Sequence, residues 1–175
     1  MANDGIWMHC TNSAIRRASR QLGQLYEDAM GDTGLKGTQF TLLSQIKQDG
    51  QPALKALAEA MVMDLSALGH TLKPLIRDGL VELIAEPRDR RVKRVRLTAL
   101  GETKQAELVE RWQVAQSRFD DVFGAEKSAE LRQALAFISS QEFAEAFEKC
   151  GTIPPTEPQE FRELTVPVRM EPSRK

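Results

Sequence analysis

Residues 86 to 98, Glu-Pro-Arg-Asp-Arg-Arg-Val-Lys-Arg-Val-Arg-Leu-Thr, constrain the fold more than any other stretch. They follow a helical pattern that closes at Asp78-Gly79, and they set six Lys or Arg (88, 90, 91, 93, 94 and 96) against Glu86 and Asp89. The excess of six minus two, four positive charges in eleven residues, sits in a chain whose net charge is −1, and it makes a phosphate-seeking surface. Leu80, Val81, Leu83 and Ile84 lead into the run and Val92, Val95 and Leu97 lead out of it, with Pro87-Arg88-Asp89-Arg90 holding the turn chemistry. Two short strands joined by a charged loop are the simplest reading. A lone hairpin is marginal in water, so this one must lie against something.

The preceding segment offers the support. Leu54, Leu57, Ala58 and Met61 fit one helical face, and Leu65, Leu68, Leu72, Leu75 and Ile76 fit a second. Val62-Met63-Asp64 breaks between them, and Asp64 is placed to accept from the free N–H groups that open the second helix. Helix, tight turn, helix and basic hairpin make a winged helix-turn-helix.

The spacing Asp89-x-Arg91-x5-Leu97-Thr98-x-x-Gly101, preceded by Leu57-Ala58-Glu59 and by Asp78-Gly79-Leu80-Val81, closely resembles the MarR family of bacterial transcriptional regulators. Gly34-Leu35 followed by Gln39-Phe40-x-Leu42-Leu43 resembles that family's entry into its second helix, and the likeness runs from about residue 10 to about residue 148. It implies a homodimer on a pseudo-palindromic double-stranded DNA operator, released when a small, often phenolic, ligand or an oxidant acts. The expected fold is mainly α: a winged helix-turn-helix with a two-stranded β-hairpin wing, and an α-helical dimerisation region formed by N- and C-terminal helices. One MarR-like domain is expected over 1–150, with dimerisation helices at about 6–30 and 99–149, the winged helix-turn-helix at about 38–98, and a Pro-rich tail at 151–175.

The rest of the sequence agrees. A length of 175 residues with 41% hydrophobic content suits one compact domain. Neither a bilayer-crossing apolar run nor an N-terminal signal pattern is evident, and the widely separated Cys10 and Cys150 do not make a disulfide framework, so a reducing cytoplasm is the expected setting. Ile15, Ala18, Leu22, Leu25 and Ala29 form a helical stripe; Gly31-Asp32-Thr33-Gly34 ends that helix, and Thr38 can cap the next, burying Phe40, Leu43 and Ile46. Thr98 can cap a long helix carrying Leu108, Trp112, Ala115, Phe119 and Val122, Gly124 breaks it, and Leu131, Leu135, Ile138, Phe143 and Phe147 mark one last helix. The apolar stripes of the first and the last two helices exceed what a lone winged domain needs and fit a dimer interface; an intramolecular core is the alternative for Trp112 and Phe119.

With the helix from Asp64 to Asp78 in the major groove, Ser66, Ala67, Gly69 and His70 face base edges, while Lys73 and Arg77 lie toward the backbone. Many relatives carry Thr or Arg where Gly69 and His70 stand, and Arg where Leu65 stands, so direct readout is sparse. Gly69 costs about 1 kcal/mol of helix propensity against Ala, which calls for a packing or close-approach reason. His70 can donate to a guanine or thymine acceptor, or stand as a solvated helix residue. Pro74 removes the helical partner of the His70 carbonyl, which implies a modest kink unless the helix proper starts later. On the wing, Arg88, Arg90 and Arg91 lie at the tip, where Arg90 or Arg91 can enter an A·T-rich minor groove. The resemblance implies that Asp89 orients Arg91; Lys93 and Arg94 would contact phosphates, and a merely solvated charged face is the alternative.

For regulation, Trp7, Met8, His9, Phe40, Trp112 and Phe119 can line a cleft between the dimerisation helices and the DNA-binding lobe, with Arg16 or Arg17 available to a carboxylate; each is equally readable as core. Cys10 and Cys150 are redox candidates if both chain ends meet at the dimer interface, with only Tyr26 and the nearby His9, Arg16 and Arg17 to tune a thiolate. No catalytic constellation, cofactor motif or zinc spacing is present. An enzyme is therefore not expected, nor a membrane partner. The rival function is a winged-helix module for protein–protein contact.

Overall fold

The structure, a computed structural model, describes residues 9–86, 89 and 92–150. Among these, seven helices and two strands follow in the order α1 (Thr11–Met30), α2 (Gly37–Asp49), α3 (Leu54–Ala60), α4 (Leu65–Arg77), β1 (Val81–Ala85), β2 (Lys93–Leu97), α5 (Ala99–Phe123), α6 (Ala125–Ile138) and α7 (Gln141–Lys149). None of the described helices is long and apolar enough to cross a membrane. The chain divides after Leu135 into a large unit and a small one that holds the end of α6 and α7.

The core of the large unit gathers Leu42, Leu43 and Ile46 of α2, Leu57 and Ala58 of α3, Leu68, Leu72 and Leu75 of α4, Val81, Val95 and Leu97 of the hairpin, and Leu108 and Ala115 of α5. A helix advances ~100° per residue, so Leu68, Leu72 and Leu75 fall on the centre of the α4 apolar arc. Leu65 and Ile76 fall on its margin. The structure corrects their assignment to the core face: Leu65 is 57% exposed and Ile76 is also exposed. α4 begins at Leu65, capped by the Asp64 carboxylate accepting from the Ala67 N–H at 2.7 Å, and runs through Pro74 to Arg77, which removes the option of a later start. The turn before it places Val62 at φ 51°, a left-handed conformation that a β-branched residue adopts at a cost of about 1–2 kcal/mol.

Three further expectations are corrected. The first helix starts at Thr11 with Cys10 at its N-cap, not near residue 6, and Thr38 lies inside α2 rather than capping it. The chain enters α2 extended at Lys36, and the Gln39 side-chain oxygen reaches back to the Lys36 N–H at 2.8 Å. The single last helix is two helices, because the Ser140 hydroxyl accepts from the Phe143 N–H at 3.1 Å and starts α7 afresh. In the small unit Phe143 meets Phe137 edge-on at 5.5 Å and stacks with Phe147 at 6.0 Å.

β1 and β2 pair antiparallel from Val81 opposite Leu97 to Ala85 opposite Lys93. A third strand-like contact, not foreseen from sequence, runs along the other edge of β2: Ala53 bridges Arg94, and the Val95 N–H donates to the Pro52 carbonyl at 3.1 Å. The base of the hairpin is fixed at one junction. The Thr98 hydroxyl donates to the Gly79 carbonyl at 2.6 Å and accepts from the Gly101 N–H at 3.0 Å, while the Thr98 N–H donates to the Leu80 carbonyl at 3.1 Å. Gly101 lets the first turn of α5 sit directly on that strand: a Cβ there would stand 1.9 Å from the Leu80 carbonyl oxygen.

Gly101→Ala must therefore push backbone from backbone, and chemical denaturation is expected to show a loss on the order of 3 kcal/mol, the upper end of overpacking costs. Thr98→Val removes the cap and the bond to the Gly79 carbonyl without forcing backbone apart, and is expected to cost about 1–2 kcal/mol.

Candidate nucleic-acid interface and effector cavity

The exposed arc of α4 carries Ser66, His70, Lys73 and Arg77, which the helical repeat aligns on one side opposite Leu68, Leu72 and Leu75. Ala67 and Gly69 flank this arc and are partly covered. No described atom of the chain lies within 4 Å of the place where a Gly69 Cβ would stand, and its φ is not positive. Packing inside the described chain therefore does not account for the glycine. Arg77, expected to face a DNA backbone, is held by its neighbour: Nε lies 2.7 Å from Asp78 Oδ1 and Nη2 3.1 Å from Asp78 Oδ2. This pairing raises the Arg77 pKa and lowers that of Asp78, through the hydrogen bond first and the charge second.

The hairpin separates its cations by register. Val95 and Leu97 point into the core, while Arg94 and Arg96 stand on the opposite face among Glu82, Ile84 and Glu86. Arg96 pairs with Glu82, its partner across the ladder, at 2.7 Å. Half-buried Arg94 pairs with Glu86 and donates from Nη1 to the Gln51 carbonyl at 2.9 Å. This departs from the expected phosphate contact: the Arg94 guanidinium is already engaged in joining the wing to the loop before α3. Lys93 and Asp89 are exposed, and the turn is closed by the Val92 N–H donating to the Asp89 carbonyl at 3.0 Å. Arg88, Arg90 and Arg91 lie outside the described residues.

A cavity of about 530 Å³ opens in the large unit between α1, α2, α5 and the first part of α6. Tyr26, Phe40, Trp112 and Phe119 give it aromatic walls, and Leu22, Met30, Leu131 and Leu135 complete its apolar surface. A polar chain runs along one side. The Tyr26 hydroxyl donates to Gln116 Oε1 at 3.0 Å, Gln116 Nε2 donates to Asp120 Oδ1 at 2.9 Å, and Arg132 sits 3.8 Å from Asp120 while donating to the fully buried Ser128 hydroxyl. Burial raises the Tyr26 phenol pKa, the Asp120 charge adds to this, and Arg132 opposes it.

Phe40 and Trp112 of the expected pocket are thus brought together, and Phe119 joins them. His9, Arg16 and Arg17 do not line this cavity; Arg16 instead donates to Asn12 at 3.4 Å along the exposed side of α1. Trp7 and Met8 lie outside the described residues. The cation of the cavity is Arg132, which the sequence reading missed because the break at Gly124 hides how the start of α6 packs back. Cys10 has its thiol pKa lowered, chiefly by hydrogen bonding to the Ser13 backbone and then to the Ser13 side chain. Cys150 is exposed, and both thiols are free.

The sequence model of the MarR family matches residues 35–93, from the entry of α2 to the start of β2. The crystal structure of the M. tuberculosis transcriptional regulator MosR in complex with DNA is similar at 31% identity and a TM-score of 0.66, over 81% of this chain and 98% of that one. The chain belongs to the MarR family. As a MarR-family protein it is a DNA-binding transcriptional regulator, not an enzyme. Two more distant structures share the winged-helix fold. PcaV from Streptomyces coelicolor, in complex with its natural ligand, has 19% identity and a TM-score of 0.71 over 81% of this chain and 99% of that one. A mutant MarR from E. coli complexed with operator DNA has 22% identity and a TM-score of 0.66 over 73% and 91%. No protein of curated function matches the sequence.

The two basic positions that open β2 in this MarR-family wing are expected to separate in a stability assay. Arg94→Ala removes a half-buried ion pair and a bond to a backbone carbonyl, and should lower stability by about 1–2 kcal/mol. Lys93→Ala, on the exposed side, should stay within about 0.5 kcal/mol of the parent in the same urea titration.

Proposed function

We propose that this MarR-family chain is a cytoplasmic, homodimeric repressor that reads a pseudo-palindromic operator and is released from it by a small aromatic or phenolic anion. Residues 1–150 act as one functional domain, and 151–175 form a tail. The observation that carries the release mechanism is the aromatic cavity with Arg132 on its polar side. A planar ring suits walls made by Tyr26, Phe40, Trp112 and Phe119, and a guanidinium beside them suits a carboxylate or phenolate. The ligand complex of PcaV supports this reading, since that protein carries its natural ligand on the same fold. Binding between α1, α2 and α5 would act where the long helices meet the DNA-binding lobe. A tenfold loss of DNA affinity needs only about 1.4 kcal/mol of preference for the DNA-incompetent dimer.

The dimer is supported by apolar surface left uncovered in one chain. Only Met30 of α1 is buried, Leu25 is half exposed, and Val114, Val122 and Phe123 of α5 are exposed, Val122 at 90%. Apolar surface gathered on the long helices marks an interaction site more often than a free surface, and a two-fold operator needs a two-fold reader. On DNA, Ser66 and His70 read bases, Ala67 and Gly69 admit the helix closely, and Lys73 and Arg77 meet phosphates. The wing residues Arg88, Asp89, Arg90, Arg91 and Lys93 face the neighbouring minor groove and backbone.

Sedimentation at micromolar concentration should give twice the chain mass; a stable monomer there would overturn the architecture. A thermal-shift series with benzoates and hydroxybenzoates should raise the melting temperature and weaken binding to an operator selected from random duplexes. Arg132→Ala should lose both responses. Neutral aromatic analogues acting as strongly as the acids would overturn the anion assignment. The glycine of the reading helix gives a test of opposite signs: Gly69→Ala should stabilise the free protein by about 0.5–1 kcal/mol yet weaken operator binding, without changing its salt dependence. Unchanged affinity would place the helix backbone away from the groove floor.

A second reading, a thiol switch, is favoured by the lowered pKa of Cys10 at the start of α1. The Cys10→Ser, Cys150→Ser double variant separates the two: it keeps its response to the aromatic acids under the first reading and loses all response under the second.

A further inference from the structure

Three arginines of the DNA-facing region are each held by a carboxylate of the same chain, but in settings that differ. Arg94 is half-buried, paired with Glu86 and bonded to the Gln51 carbonyl, so it is committed to the fold. Arg96 pairs with Glu82 at the base of the wing, at one side of a cleft that also holds the Lys47–Glu102 pair. Arg77 differs from both. It stands at the end of the reading arc of α4, its side chain is 75% exposed, and its partner Asp78 is the next residue in sequence. Both guanidinium contacts, 2.7 and 3.1 Å, go to the two oxygens of one carboxylate. That fork is the geometry in which a guanidinium takes a phosphate.

We propose that Asp78 is a positioning residue that competes in-chain with the DNA phosphate for Arg77, so that Arg77 exchanges one anion for the other on binding and the affinity of the repressor is lowered by that exchange. The inference rests on the placement of α4 against DNA proposed above. An exposed pair between adjacent residues needs no rearrangement of the backbone to open: the Asp78 N–H keeps its bond to the Pro74 carbonyl, and the Gly79 N–H its bond to the Ile76 carbonyl, whichever way Arg77 points. Bidentate geometry in the free protein also holds the guanidinium in one place, at the carboxyl end of α4, instead of leaving it to sample phosphates along any duplex. The consequence for regulation is direct. An effector that delivers a modest differential can release a repressor whose grip is tempered in this way, whereas an uncompensated arginine in each subunit would raise the threshold.

The test is a double-mutant cycle on the full chain, measured as binding to a selected operator and to a mixed-sequence duplex across a salt series. Asp78→Asn keeps the shape of the side chain and should tighten binding to both duplexes by about two- to fivefold per subunit engaged, the range of an exposed ion pair. Arg77→Ala should weaken binding and reduce the salt slope by about one per subunit. In the Arg77→Ala background, Asp78→Asn should do nothing further. A gain that persists without Arg77 would make Asp78 a simple repulsive charge and overturn the proposal, as would an Asp78→Asn variant that binds like the parent. An unchanged salt slope in Arg77→Ala would mean that Arg77 never leaves Asp78, which also overturns it. Circular dichroism and melting of each variant exclude loss of fold as the cause. If the parent protein bound neither duplex, the placement of α4 on DNA would fail first, and the cycle distinguishes that outcome because it begins from the parent's own binding.

Discussion

The contact between Gly101 and the Leu80 carbonyl decides where everything else can lie. A carbonyl and a helix can approach this closely only when no side chain intervenes, and the Thr98 hydroxyl then links the end of α4 to the start of α5 through the Gly79 carbonyl. Three elements meet at that point: α4 through Asp78-Gly79, the wing through Leu80-Val81, and the long helix through its first turn. Gly79 supports the arrangement with φ 69°, a left-handed turn that a residue with a side chain adopts only with strain. The angle between α4 and the wing therefore follows from a few backbone atoms.

Around that junction, charge is distributed by burial. The wing's cations look interchangeable as a string of letters, yet the ladder register turns Arg94 and Arg96 toward carboxylates and leaves Lys93 exposed. Pairing does for the hairpin what apolar contact does for its other face. In the cavity the same rule holds, with Asp120 between Gln116 and Arg132 and the buried Ser128 hydroxyl accepting from the guanidinium. The buried Ser128 hydroxyl is satisfied in this way, and the partly covered groups beside it tie α1 to α5 and α6 in the large unit.

The winged helix-turn-helix was legible in sequence because its signals are local: Asp64 before an apolar arc, Thr98 and Gly101 at fixed spacing, and alternating residues on either side of a charged turn. Gly124 likewise ended α5 where expected. What escaped was set by contacts between distant segments. Nothing in the vicinity of Arg132 announces that Asp120 and Tyr26 will lie beside it, and nothing around Arg94 announces the Gln51 carbonyl, 43 positions earlier. The division of the last helix was hidden for another reason: Phe137, Phe143 and Phe147 keep an apolar rhythm across the break, and a single capping serine overrides it. Arg16 and Arg17 were attractive as anion partners by charge alone, but α1 turns them outward.

The bond from Arg94 to the loop before α3, together with the Ala53 bridge and the Pro52 carbonyl, fastens the wing along its second edge as well as at its base. A hairpin held on two sides cannot swing by itself. Within this chain the strands of the wing and the helix α4 are therefore set at one separation, like the jaws of a fixed gauge. In the dimer proposed above, what would stay adjustable is the distance from one gauge to its twin, so that a change of hold on DNA would come from the spacing of two rulers rather than from the shape of either.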